Sequence, residues 1–251
     1  MPDPFDHALA ILLIAVIPPR AWLTFRALRR ATPEQRPRQR RRLYLTAVIT
    51  QWGVAAALMV HWALARRPWG SLGLSPALSP GAFGVAIGVA IGVVLVVRRL
   101  RGAAPRSEPL ERARARLAHV EPLMPHDVRE LMQFQTVAVT AGICEELLFR
   151  GFLIWYVANF TGLVQAALIS SACFGLGPAY QGPRYVVVTG LVGAFFAAVY
   201  AISGSIVLPM LIHVLMDLYS GWVGFRVFSG DDGGSPGGHG VPGGISAVVA
   251  G

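Results

Sequence analysis

The chain has 251 residues, 54% of them hydrophobic and 14% charged, with a mean hydropathy of +0.55. Soluble domains carry roughly a quarter charged residues, disordered chains are far more polar, and two cysteines are too few for a disulfide scaffold, so lipid is the expected solvent. All 22 basic residues are arginines against 13 acids, a formal charge of +9 concentrated in the runs Arg26–Arg42 and Arg98–Arg116. Both runs directly follow apolar stretches, as the positive-inside rule requires of cytoplasmic loops. Membrane lipids with acidic headgroups are therefore the expected counter-charge, and nucleic acid is not.

The first apolar run, about 8–25, is interrupted by Pro18, Pro19 and Arg20. Acids precede it and arginines follow it, the reverse of a secretory signal, so it reads as an uncleaved span with its amino end outside. A second span is expected over 43–65, then a short outer loop over 66–80. A third covers 81–97, where Gly84, Gly88 and Gly92 recur at the spacing that lets helix backbones approach in lipid. These make an N-terminal three-span region, 1–97. In the charged linker 98–130, Leu110, Ala113, Leu117 and Val120 recur at helical spacing among arginines, as in an amphipathic helix on a membrane surface. A plain solvated linker is the alternative.

The core, 131–228, is apolar apart from Glu145, Glu146, Arg150, Arg184, Asp217 and Arg226. Spans are expected at 131–149, 151–160, 163–176, 185–202 and 206–225, separated by turn-forming residues. The whole is an all-α, polytopic transmembrane helical bundle of about seven or eight spans. A glycine-rich tail, 229–251, is expected to be flexible and without activity. The absence of an internal repeat gives an inverted-repeat transporter little support.

A carboxylate in the centre of a bilayer costs at least ~2.5 kcal/mol, so adjacent glutamates inside an apolar segment ask for a purpose. Glu146 and Arg150 lie four residues apart on one helix face, in the order that favours an ion pair. Glu145 is turned away from Glu146 by about 100°, so Arg150 cannot easily neutralise both. One acid is held and the other is free to face a cavity and act as a base on water. His213 and Asp217, also four apart, share a face of a later helix and can bind a metal or meet a developing negative charge. Two polar clusters in apolar segments imply one shared pocket. Cys144 and Cys173 read as small buried hydrophobes, while Tyr180 and Gln181 are candidates for the pocket mouth.

The run Glu145-Glu146-Leu-Leu-Phe-Arg150 resembles the EExxxR signature of the CAAX protease and bacteriocin-processing (CPBP) family of intramembrane proteases. Phe174 with its surroundings is similar to that family's FxxxH motif, and His213-Val-Leu-Met-Asp217 to its HxxxD motif, in the family's order. The resemblance implies a metal-dependent endopeptidase using a divalent ion, zinc by family. Glu145 would then be the base and Glu146 and Arg150 would hold the helix, with Phe174 in support. His213 and Asp217 would bind metal or the oxyanion, giving a ligand set of Glu145, His213 and Asp217. The position of the FxxxH histidine is Pro178, which offers neither ligand nor proton carrier.

The resulting expectation is a multi-pass protein of a bacterial cytoplasmic membrane that cleaves C-terminal or membrane-proximal peptides, with activity impaired by Pro178. Its partners would be membrane lipids and a peptide or protein substrate, without a nucleotide cofactor. The alternatives are an inactive scaffold or immunity-type binding protein, and a small proton or ion transporter relaying through Glu145, Glu146 and Asp217.

Overall fold

The computed structural model describes residues 1–74 and 107–229, together with Gly84 and Gly88, and all regular structure among them is helical. Helix α1 spans Pro4–Arg30. It starts at Asp3, whose side chain accepts from the backbone N–H of Phe5 and Asp6, while Asp6 returns the bond to the Asp3 N–H. The expected interruption at Pro18, Pro19 and Arg20 does not break it. Prolines lack the N–H an α-helical turn needs, and a π-helical turn at Leu12–Val16, where the Ile17 N–H reaches Leu12 O, carries the chain into them.

Helix α2 is Arg36–Leu64, α3 is Ser107–Leu117, α5 is Leu163–Gly175, α6 is Pro183–Ser203 and α7 is Val207–Phe228. Helix α4 is the continuous run 128–158, made of Val128–Glu146, a π-helical turn at Leu147–Leu153 and Ile154–Ala158. The segments 131–149 and 151–160, expected as two spans, are thus one. Helices α1, α2, α6 and α7 are long and apolar enough to cross a membrane. The expected span 81–97 and the tail 229–251 lie outside the described residues except for Gly84, Gly88 and Ser229. The glycine stripe expected at Gly84, Gly88 and Gly92 lies in that segment, with Gly92 outside the described residues.

Helix α4 is central, packed by α7, α2 and α5. Its approach to α7 depends on Gly142, where a Cβ would lie 2.7 Å from the Val214 backbone nitrogen. This brings the glutamate-bearing turn of α4 against the histidine-bearing turn of α7. The apolar core on the other side of α4 gathers Leu13 of α1, Leu58 and Trp62 of α2, Leu72, and Phe152 and Leu153. In α3 the arginines at 112, 114 and 116 are exposed while Ala113 and Leu117 are partly covered, and Arg114 donates to Val227 O at 3.1 Å. The linker boundary expected after 130 falls inside α4: Glu130 sits in its first turn, fully buried, and accepts from Arg40 Nε of α2 at 2.8 Å.

Candidate active site

Arg150, wholly buried, is the hub of the site. Its Nη1 donates to Glu146 Oε1 at 2.9 Å across the π-helical turn, and its Nη2 donates to Gly193 O of α6 at 3.0 Å. The guanidinium lies 4.3 Å from the Phe174 ring centroid and 5.2 Å from that of Phe196, two faces that favour a desolvated cation. Gly193 fits because a Cβ there would crowd Phe174 and the backbone of Ser171 at 3.2 Å.

His213, 6% exposed, joins α7 to this hub. Its Nδ1 is 2.9 Å from Glu146 Oε1, and its Nε2 is 3.5 Å from Asp217 Oδ2 one turn on. The ring stacks on Phe196 at 5.1 Å and meets Phe174 edge-on at 5.8 Å. Glu146 is thus shared by a guanidinium and an imidazole through one oxygen. Its other oxygen, Oε2, is buried with no hydrogen-bond partner among the described residues, as is Arg150 Nε.

Glu145 takes a different partner. Its Oε1 accepts from Gln51 Nε2 of α2 at 2.9 Å, and it interacts electrostatically with His213 and Asp217. The structure therefore brings Glu146, Arg150, His213, Asp217 and Phe174 into direct contact, and holds Glu145 beside them on the α2 side. Pro178 lies off the helix that carries Phe174. It has no N–H to give Phe174 O, that oxygen accepts from Gly177 instead at 3.1 Å, and Pro178 starts the 3₁₀ turn Ala179–Gln181.

Residues 127–219 match the family model described as type II CAAX prenyl endopeptidase Rce1-like. This segment is Rce1-like. The match is consistent with membership of the CPBP family, and with the four apolar helices it marks an integral membrane protein. No curated protein and no solved structure matches the chain. The Rce1-like segment contains every expected site residue, with Pro178 among them.

The zinc implied by the resemblance can be tested against the donors. Among the described residues, one set of three His, Cys, Asp or Glu ligand atoms lies within 4.8 Å of one another: Asp3, Asp6 and His61. Arg67 already fills that cluster, donating to Asp3 at 2.7 Å and twice to Asp6 at 2.8 Å. Glu145, His213 and Asp217 do not converge in this way. The two ring nitrogens of His213 face different carboxylates at opposite edges, so these donors as arranged do not fit an ion with three protein ligands. His119 stacks on Tyr185 and His126 on Phe228, so neither takes the place of the missing histidine.

Sequence reasoning overlooked Gln51, Phe196 and Gly193 in the Rce1-like site. Gln51 carried a readable signal, a lone amide in the middle of an uncharged span. Gly193 and Phe196 carried none, because α6 is apolar throughout this stretch.

Proposed function

We propose that the Rce1-like core is an intramembrane endopeptidase acting on C-terminal or membrane-proximal peptides, working slowly because Pro178 replaces an imidazole. The observation behind this reading is the buried junction of Glu146, Arg150 and His213 built from α4 and α7, with Glu145 and Asp217 at its edge. A largely buried Glu145 anchored through one oxygen by Gln51 is suited to take a proton from water as it attacks a peptide carbonyl. His213, fixed between Glu146 and Asp217, is suited to carry positive charge toward the oxygen where negative charge develops. Glu146 and Arg150 position that imidazole. Peptides would enter from the lipid, and the arginine-rich ends would face the cytoplasm of a bacterial cell.

A second reading, an inactive member that retains a membrane peptide without cleaving it, is favoured by Pro178 lying in a turn and by Glu145, His213 and Asp217 not converging on one point. Purified protein with a membrane-anchored model peptide separates the two. Slow cleavage that Glu145→Ala abolishes and Pro178→His accelerates supports the peptidase. Peptide binding with no turnover in either the wild type or Pro178→His supports the scaffold. Zinc content of both proteins reads metal binding independently of turnover.

A further inference from the structure

Next to the Glu145 edge of the junction, the carboxyl end of α1 and the 3₁₀ turn after Pro178 frame a cavity of about 400 Å³ lined by Trp22, Phe25, Arg26, Arg29, Arg30 and Tyr180. The Phe25 and Tyr180 rings lie 4.4 Å apart and join the two elements. Arg26 lies over Trp22 at 5.1 Å and Arg29 over Phe25 at 5.9 Å. None of the three arginines pairs with a carboxylate among the described residues, although acids and arginines pair at Asp3, Asp6, Asp127 and Glu130.

A cavity with three uncompensated guanidinium groups and aromatic walls selects an anion with several acceptor oxygens. The surroundings indicate its source. Trp22 and Leu23 are 42% and 59% exposed beside the cavity, and Val16 and Ile11 extend the same exposed apolar character back along the span. An acyl chain can lie along that surface while its headgroup sits among the arginines at the interface. We propose that this cavity is a binding site for the phosphate of one anionic phospholipid. Through Tyr180 it links the bound lipid to the turn that follows Pro178. The inference does not depend on peptidase activity.

The test uses the full chain in detergent with equimolar phosphatidylglycerol and phosphatidylcholine, with retained lipid measured by native mass spectrometry. Wild type is expected to keep phosphatidylglycerol preferentially. The double variant Arg26→Gln, Arg29→Gln is expected to lose about fivefold in retention for each arginine removed, the usual weight of one basic residue at an anionic membrane surface. Arg38→Gln with Arg42→Gln removes the same charge outside the cavity and should lower retention clearly less, while Tyr180→Ala should weaken it. Equal loss in the two double variants would reduce the effect to general surface charge and overturn the site. Retention unaffected in Arg26→Gln, Arg29→Gln would overturn it too. Displacement of the lipid by millimolar inorganic phosphate would reassign the ligand to free phosphate, and displacement by a peptide carboxylate would reassign it to a peptide terminus.

Discussion

Helix α4 carries two buried carboxylate–arginine pairs, and they are built differently. At its start, Glu130 is approached from several sides: Arg40 Nε and the His126 N–H bind Oε2 at 2.8 and 3.0 Å, and Arg41 Nε stands 3.5 Å from Oε1. About four and a half turns later, Glu146 puts Arg150 and His213 on the same Oε1. At each pair one carboxylate oxygen and one guanidinium Nε have no hydrogen-bond partner among the described residues: Glu130 Oε1 and Arg41 Nε, and Glu146 Oε2 and Arg150 Nε. The pair that clamps α2 to α4 gathers two guanidinium groups and a backbone N–H around one carboxylate. The pair in the candidate site instead shares its anchoring oxygen between a guanidinium and an imidazole, which couples the carboxylate to the histidine of α7.

Removing the cation from each pair breaks this comparison most directly. Arg150→Ala leaves the buried Glu146 with the His213 imidazole and no other guanidinium among the described residues, so a loss of about 3–5 kcal/mol is expected, seen as collapsed folded yield and a lower melting temperature in detergent. Arg40→Met is expected to cost less, because Arg41 and the His126 N–H remain at Glu130. The double variant Arg40→Met, Glu130→Met should recover most of the loss, as apolar replacement of a buried pair often does, and leave any peptide cleavage unchanged. If Arg40→Met proves as damaging as Arg150→Ala, the two pairs are equivalent and the distinction fails.

The contrast also shows what was legible in the sequence. Pairings four residues apart on one helix could be read directly: Glu146 with Arg150 and His213 with Asp217 are in contact, and Glu145 is turned away from Arg150's partner. The all-helical class and the apolar spans followed from composition. Contacts between helices depend on register, which Gly142 sets by letting α4 meet the backbone of α7, and a lone glycine does not announce its partner. That is why the sequence pattern groups His213 with Glu145 while the ring reaches Glu146, and why it leaves Glu145 unattached although Gln51 holds it. The burial of Arg40 was hidden for the opposite reason: it stands in a run of arginines that reads as a solvated loop, and Glu130 selects it from ninety residues away.

Gln51 sharpens the comparison on the reactive side. Gln51→Leu keeps the bulk of the side chain and removes the one described hydrogen bond to Glu145. A stability loss of roughly 1.5–3 kcal/mol is expected for a bond to a charged acceptor. If Glu145 is the base, cleavage should fall beyond what the lost folded fraction explains, through kcat rather than KM. Normal turnover per folded molecule would mean that Gln51 only ties α2 to α4.

The smallest effect expected lies at the clamped end, outside the spans. The His126 imidazole, with Nε2 3.1 Å from Glu121 Oε1, holds the Glu121 carboxyl below its ordinary value of 4.5, and Arg36 at 3.9 Å adds to this. An acid whose proton affinity is lowered by folding contributes stability above its unfolded value, and the contribution disappears as pH falls through the lower folded value. Glu121→Gln should therefore melt slightly below wild type near pH 7, and the two melting curves should converge as the pH is taken well below 4.5. A gap that stays constant across that range would mean that Glu121 acts through packing, and the charge-gathering character assigned to this end of α4 would then rest on Glu130 and Asp127 alone.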